Sequence, residues 1–250
     1  MIKLIEKIDL SGGTLIVPAV AVGNVGQLAI DLLICSLEMK RIGHLINSCF
    51  IPVLGTDPYN EYSNELCTSC DIYYEAKKKI VALQIRSPPV KDLKSFFDEL
   101  KEFISNQKIS QVIILTSSWA HTRTDVQIRS EPMRYVASPA IEKNFESKFQ
   151  KLNWLKLEPI INPEDDRQRF QISGGGFAAK LFNFFFENQI PCLILLRFCS
   201  EGDNIEDAVV SLSYLDKWLE YGISSTGPIL LKHPHSWASL FGNPAPDEIY

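Results

Sequence analysis

The chain has 250 residues, of which 46% are hydrophobic and 22% charged, a composition typical of a globular protein that excludes disordered, collagen-like and coiled-coil classes. Lys and Arg number 25 against 30 Asp and Glu, and the resulting net charge of −5 has the wrong sign for a general binder of nucleic acid or anionic membranes. At this length we expect one large α/β domain.

The N-terminus and the cysteines indicate the cellular compartment of the protein. Charged residues such as Lys3 and Glu6 interrupt any signal-peptide core, and Asp31 breaks the longest apolar run, so we expect neither secretion nor a membrane span. The six cysteines lie mostly in apolar segments, which favours reduced thiols over disulfides. We therefore predict a soluble protein of the cytoplasm, with the nucleus as a second compartment.

The first elements follow from hydrophobic periodicity. Residues 14–22 form a continuous apolar run that predicts a strand covered on both faces. From Asn24 to Leu37 the apolar spacing is that of a mostly buried helix. A second apolar run, 45–54, precedes a polar stretch, 55–69, which predicts a long surface loop or a hairpin connection.

The middle of the chain predicts a β-α-β crossover and therefore a parallel sheet. An apolar strand at 80–85 precedes a helix at 91–107 with one apolar stripe, and a second strand follows at 112–115. The remaining predictions are a polar loop at 117–138, a helix opened by Pro139, a buried helix at 178–186, a strand at 192–198, and a helix capped by Asn204 and ended by Gly222.

These elements predict one three-layer α/β domain over residues 1–222 with a largely parallel central sheet. Residues 223–250 contain four prolines and read as an irregular tail that packs on the domain through residues such as Trp237 and leaves its end free.

Two glycine clusters could belong to a nucleotide site or to tight backbone turns. Gly23 and Gly26 lie between a strand and a helix, but neither a complete G-x-G-x-x-G fingerprint nor a G-K-[ST] loop is present. Residues 174–176 are three consecutive glycines without a following Lys at phosphate-loop spacing. We favour backbone geometry for both and predict no bound cofactor.

No convincing catalytic or metal set emerges. Ser117, Ser118 and His121 follow a strand, yet no G-x-S-x-G elbow accompanies them, which favours turn hydrogen bonds. Cys67 and Cys70 form a lone CxxC, and His233 and His235 have the wrong spacing for a second ligand pair, so we favour a solvated loop over a metal.

Several arginines could line an anionic pocket or form a network of paired ions, and we favour the network. These residues, together with their acidic neighbours, are Arg86, Arg123, Asp125, Arg129, Glu131 and Arg134.

Ordered motifs over about residues 11–242 carry a family resemblance. They include VPAVAVGNVGQLAIDLLI, Pro58-Tyr59, ALQIRS, ILTSS, R-x-D-x-Q-x-R-S from Arg123, the three glycines, SEGDN-x-x-DA and W-x-x-LFG. In these motifs the chain resembles the family of proteasome assembly chaperones that pair with proteasome assembly chaperone 1.

The resemblance implies a fold related to nucleoside-phosphorylase-like sheets but without catalysis. It also implies a heterodimer with proteasome assembly chaperone 1 that binds the α subunits of the nascent proteasome core particle, promotes α-ring assembly and prevents off-pathway pairing of rings.

Some family members end in a hydrophobic-Tyr-any tripeptide that enters pockets between α subunits. Ile249 and Tyr250 match its first two positions, and the third is missing. The resemblance therefore suggests Ile249 and Tyr250 as partner-binding residues, while a frayed terminus that ends in Tyr by chance is equally compatible with the sequence.

Two other functions stay open from the sequence. One is a phosphorylase or nucleosidase-like enzyme acting on a small anionic substrate, which would need a pocket of convergent polar groups. The other is a general adaptor with an unrelated partner.

Overall fold

The structure is a computed structural model that describes residues 1–162, 165–223 and 231–239. Its strands are β1 Ile2–Leu4, β2 Thr14–Pro18, β3 Lys40–Leu45, β4 Leu54–Thr56, β5 Leu66–Thr68, β6 Cys70–Glu75, β7 Ile80–Ile85, β8 Gln111–Trp119, β9 Met133–Ala137, β10 Ile160–Asn162, β11 Asp165–Arg169 and β12 Cys192–Cys199. Its helices are α1 Val25–Ser36, α2 Lys94–Asn106, α3 Asp125–Ile128, α4 Pro139–Lys151, α5 Ala178–Glu187 and α6 Ile205–Leu219.

The main sheet has eight strands in the order β1-β3-β6-β7-β2-β8-β12-β9. Its four central strands, β7-β2-β8-β12, are parallel, and the flanking strands pair antiparallel. Strands β7 and β8 both pair with β2, so the predicted β-α-β crossover through α2 is confirmed. The central strands are buried on both faces, as their continuous apolar runs predicted.

Helices cover both faces of the sheet and give the three predicted layers. Alternate residues of β8 divide between two hydrophobic clusters, with Val112 and Ile114 in one and Ile113 and Leu115 in the other. The first cluster takes in apolar residues of α2 and α5, and the second takes in those of α1, α4 and α6.

Several boundaries differ from the sequence predictions. The first predicted strand, 14–22, ends at Pro18, and the chain then turns at residues 22–24 into α1. The predicted loop at 117–138 is wrong at both ends, because β8 continues to Trp119 and β9 occupies Met133–Ala137. The polar stretch at 55–69 contains the β4–β5 hairpin with its connection at 57–65, and a hairpin connection was one of the two predicted forms.

Helix α6 begins after Asn204 as predicted, but the predicted capping bond and the predicted C-terminal end are wrong. The Asn204 side chain does not accept a hydrogen bond from the helix, and instead donates to the Ser200 carbonyl at 2.8 Å and to the Asp207 carboxylate at 2.9 Å. The helix ends at Leu219 with Glu220 in the left-handed region, at φ +55°, so Gly222 does not end it.

The predicted tail is described only at residues 231–239. A short 3-10 helix runs from His235 to Ser239, and Leu231 and Trp237 pack against the cluster that includes α1. The division at residue 222 stays a prediction, and Ile249 and Tyr250 lie outside the described residues.

Candidate functional site

The carboxyl ends of β2 and β8, at the edge of the sheet where α/β proteins usually bind ligands, are covered by the chain itself. The backbone N–H of Val22, after β2, donates to the Gly174 carbonyl at 2.9 Å. The N–H of Trp119, at the end of β8, donates to the Ser173 carbonyl at 3.1 Å. Residues 173–176 therefore close the crevice with backbone hydrogen bonds.

The glycines of this segment are required by close approach. Gly176 has φ +58°, and a Cβ atom there would lie 2.0 Å from the Val20 carbonyl oxygen. Gly174 has φ +77°, and its Cβ would lie 2.6 Å from the indole nitrogen of Trp119. The predicted role in backbone geometry is confirmed, because any other residue would both strain the chain and displace its neighbours.

Gly23 and Gly26 are also required by backbone conformation or close approach. A Cβ on Gly26 would lie 2.7 Å from the Leu115 carbonyl oxygen, so this glycine lets α1 approach β8. Gly23 adopts φ +66° and lies against the side chain of Asn204.

The serines at the end of β8 hold this arrangement together. The buried Ser117 hydroxyl donates to the Val22 carbonyl at 2.5 Å, and the Ser118 hydroxyl donates to the Ser173 carbonyl at 2.9 Å. His121 is exposed and its ring lies against that of Trp119. Both hydroxyls thus donate to backbone carbonyls. The two serines lie within β8 and not in the predicted loop.

The candidate arginines do not converge on one pocket. Arg86 follows β7 and Arg134 lies in β9, with β2, β8 and β12 between these two strands. Arg134 donates to the carbonyls of Glu131 and Met133, both at 2.7 Å. Arg86 pairs with Asp31 at 3.1 Å. The preferred prediction of paired ions is confirmed at Arg86, whereas Arg134 is held mainly by backbone carbonyls and has the Glu158 carboxylate 4.0 Å from its Nε.

Sequence patterns did not identify the partly buried polar cluster around Asp31, in which Asp31 and Gln84 are the buried members. The Tyr59 hydroxyl donates to Asp31 at 2.6 Å and accepts from Arg86 at 2.7 Å, and the Gln84 amide also donates to Asp31. Burial, reinforced by the charge of Asp31, raises the pKa of Tyr59 well above its usual value, so this phenol stays neutral. The Pro58-Tyr59 motif was the one available signal, and it did not indicate a partner.

A cavity of about 520 Å³ adjoins this cluster. It is lined by the end of α1, the β4–β5 hairpin and the described part of the tail, including Cys35, Met39, Asp57, Tyr59, Cys67 and Lys232. Burial raises the pKa of Cys35 to about 12, which makes this thiol a poor nucleophile at neutral pH.

The CxxC cysteines are buried, so their assignment to a solvated loop is wrong. Cys67 lies in β5 and its thiol donates to the Thr56 carbonyl at 3.2 Å, and Cys70 begins β6. Among the described residues, no three His, Cys, Asp or Glu side chains come close enough together to hold a metal ion.

Residues 231–239 contact the loop that connects β4 and β5. The N–H of Ser236 donates to the Pro58 carbonyl at 3.1 Å, and His235 lies 2.9 Å from the Glu61 carboxylate. The N–H of Lys232 donates to the Ser36 hydroxyl at the end of α1. Within the ranges that the structure covers, no helix is both apolar and long enough to cross a bilayer.

The PAC2 family model matches residues 15–227 of this chain. Curated relatives named proteasome assembly chaperone 2 are similar over nearly the whole length. The Bos taurus protein is 40% identical over 97% of this chain and 96% of its own, and the Homo sapiens protein is 38% identical over the same shares. The chain belongs to the PAC2 family.

Solved PAC2-like structures share the fold of this PAC2-family chain. Pyrococcus furiosus PbaB, described as an archaeal proteasome activator, superposes with a TM-score of 0.66 at 16% identity over 90% of each chain. Pyrococcus furiosus PbaA, described as an archaeal homolog of proteasome-assembly chaperone, gives 0.64 at 14% identity over 90% of this chain and 89% of its own. These likenesses confirm the α/β fold.

Proposed function

We propose that this PAC2-family chain is a non-enzymatic chaperone that pairs with proteasome assembly chaperone 1 and binds the α-ring of the nascent proteasome core particle. In this role it promotes ring assembly and prevents off-pathway pairing of rings, in the cytoplasm and the nucleus. The observation that carries the proposal is the similarity, over 97% of the chain, to relatives named proteasome assembly chaperone 2.

Support for a role without catalysis comes from the carboxyl end of the sheet. A phosphorylase or nucleosidase needs an open crevice with groups free to meet an anionic substrate. Here residues 173–176 fill that position, and Ser117 and Ser118 donate to backbone carbonyls. Opening a substrate site there would leave these buried polar groups unpaired, which costs about 1–3 kcal/mol for each group.

The proposed contact with the α-ring includes Ile249 and Tyr250. Burial of a tyrosine ring contributes roughly 1.5–3 kcal/mol by area, and a charge-assisted hydrogen bond from a lysine in the receiving pocket adds about 1.5–3 kcal/mol. The entropy lost when the tail becomes ordered offsets part of this gain.

The test removes Ile249 and Tyr250 from the heterodimer co-expressed with chaperone 1. We expect binding to isolated α-rings to weaken by at least about tenfold, equivalent to 1.4 kcal/mol, while pairing with chaperone 1 is retained. Asn243→Ala is the control, because it changes the tail but keeps both contact residues.

Failure of the intact heterodimer to form or to bind α-rings would contradict the proposed function. Unchanged binding after the truncation would contradict only the role of the two terminal residues and leave the globular surface as the contact.

A further inference from the structure

The cavity of about 520 Å³ beside the Asp31 cluster is a candidate binding site that the proposed function does not use. The end of α1, strands β3 and β6, the β4–β5 hairpin with its connection, and residues 232 and 233 all contribute to its lining. Its apolar walls include Ile34, Met39 and Tyr59. A cavity of this size that combines apolar walls with a few polar groups is typical of small-molecule sites.

Tyr73, in β6, contributes an unpartnered polar group. Its side chain lines the cavity although only 4% of the residue is exposed, and its hydroxyl forms no hydrogen bond with any residue that the structure describes. Burial raises the pKa of Tyr73 above its ordinary value, so the hydroxyl stays neutral and can both donate and accept. The charges of Asp57 and Arg41, which line the same cavity, also act on this hydroxyl. A buried hydroxyl without a partner is costly and indicates a ligand or an ordered water beside it.

Four of the charged side chains around the cavity are already paired with one another. Arg41 lies 2.6 Å from the Glu65 carboxylate, and Lys232 pairs with Glu38. Each pair joins one basic and one acidic side chain, so together they add no net charge to the lining.

Asp57 is the acidic residue that these pairs leave uncompensated. One of its carboxylate oxygens accepts the backbone N–H of Tyr59 at 2.9 Å, and within the described ranges no Lys, Arg or His pairs with it. With His233 neutral, the lining therefore has one net negative charge. An organic cation complements this charge, whereas an anion would be repelled by it.

We propose that this cavity binds a small organic cation, an ammonium group on a short apolar stem. Asp57 supplies the opposite charge, the Tyr73 hydroxyl supplies a hydrogen-bond acceptor, and the apolar walls bury the stem. The same chemistry is available from a free alkyl amine and from a lysine side chain of another protein. The proposal goes beyond the chaperone function and does not depend on it.

The first test compares three probes that share one six-carbon chain, namely hexamethylenediamine, hexanediol and adipate. Isothermal titration calorimetry on the full chain should show the diamine binding at least about tenfold more tightly than the other two, because only the diamine meets Asp57 with opposite charge. Equal binding of the diol, tighter binding of adipate, or no binding of the diamine would overturn the proposal.

Asp57→Asn removes the countercharge and keeps the loop, because the asparagine side-chain oxygen can still accept the Tyr59 N–H. We expect diamine binding to weaken by about tenfold or more. The matched control is Asp98→Asn on α2, an exposed residue outside the cavity lining whose substitution changes the net charge of the chain by the same amount. The control should change binding less than about twofold. An equal loss in both variants would mean nonspecific attraction to an acidic protein and would contradict a defined site.

Tyr73→Phe removes the hydroxyl and keeps the ring that packs edge-on against Tyr59. Diamine binding should weaken by about fivefold, whereas the urea midpoint should not fall, because this hydroxyl has no partner to lose. The control is Tyr74→Phe, whose hydroxyl donates to the Asp9 carbonyl and does not line the cavity. Unchanged binding in Tyr73→Phe, or a lower urea midpoint, would overturn the role given to this hydroxyl.

A fourth probe, Nα-acetyl-lysine amide, separates the two sources of the cation. Tighter binding of this probe than of the diamine assigns the cavity to a lysine side chain of another protein, and the reverse assigns it to a free amine. If neither probe binds, the cavity holds only water and the proposal fails. Binding to α-rings is measured separately, so the proposed function and this inference can fail independently.

Discussion

At the scale of single residues, Tyr59 links three parts of the fold. Its hydroxyl donates to Asp31 in α1 and accepts from Arg86 after β7, while its own position is in the β4–β5 connection. Its ring also packs edge-on against Tyr73 in β6. The loop that contacts residues 231–239 is therefore held by a partly buried polar cluster as well as by ring packing.

We predict that Tyr59→Phe lowers the free energy of unfolding by about 1–3 kcal/mol, because the buried Asp31 and the half-buried Arg86 both lose a hydrogen-bond partner. The control is Tyr62→Phe in the same loop, where the side chain is 86% exposed and a change within about 0.5 kcal/mol is expected. Urea unfolding measures both, and equal effects would contradict a structural role for the cluster.

The unaltered protein and Tyr59→Phe should also differ in how their stability depends on pH. The pKa of Tyr59 is raised in the folded state by burial, so above the ordinary tyrosine pKa of about 10 the unfolded chain loses this proton first. Stability is therefore lost as the pH rises above that value, and we expect a smaller loss in Tyr59→Phe. Parallel pH profiles of the two proteins would contradict this.

At the scale of elements, the segment at residues 173–176 takes the place of a ligand at the sheet edge. It accepts hydrogen bonds from Val22, Thr116, Ser118 and Trp119, the last three of which belong to β8. Its attachment depends on glycine, because the Val20 carbonyl leaves no room for a side chain at Gly176.

We predict that Gly176→Ala destabilises the protein by about 4–5 kcal/mol, the range of severe structural disruption. The control is Gly12→Ala, where φ is +72° but nothing lies within 4 Å of the added Cβ, so only backbone strain of about 1–2 kcal/mol is expected. Urea unfolding measures the difference, or the soluble yield does if Gly176→Ala cannot be purified. Similar losses in the two variants would show that the close approach to Val20 is unimportant.

At the scale of the whole molecule, residues 231–239 connect chain segments that are far apart in sequence. Lys232 reaches the end of α1, Ser236 reaches the β4–β5 connection, and Trp237 packs against the core cluster that contains α1 and α6. The described part of the tail thus contributes to the hairpin region.

We predict that Trp237→Ala loosens this region, because partial loss of aromatic burial costs roughly 1–3 kcal/mol. Hydrogen exchange should speed up at the amides of residues 57–63 and at Ser236. The control is His235→Ala, which removes only an exposed contact with the Glu61 carboxylate. Equal exchange in the two variants would mean that the tail is not anchored through its aromatic residue.

The sequence by itself determined the central strands, the long helices and the family, because continuous apolar runs, the 3.6-residue period and ordered motifs are local properties of the chain. It did not determine β3, β6 and β9, which are short and carry polar residues. Of these, Asp71 in β6 and Arg134 in β9 are buried once their strands pair with neighbouring strands. Only the tertiary structure joined Tyr59 to Asp31 and Arg86, 28 and 27 residues away, and set Gly176 against Val20. Contacts between such distant residues depend on how the whole chain folds, and no local pattern of residues encodes them.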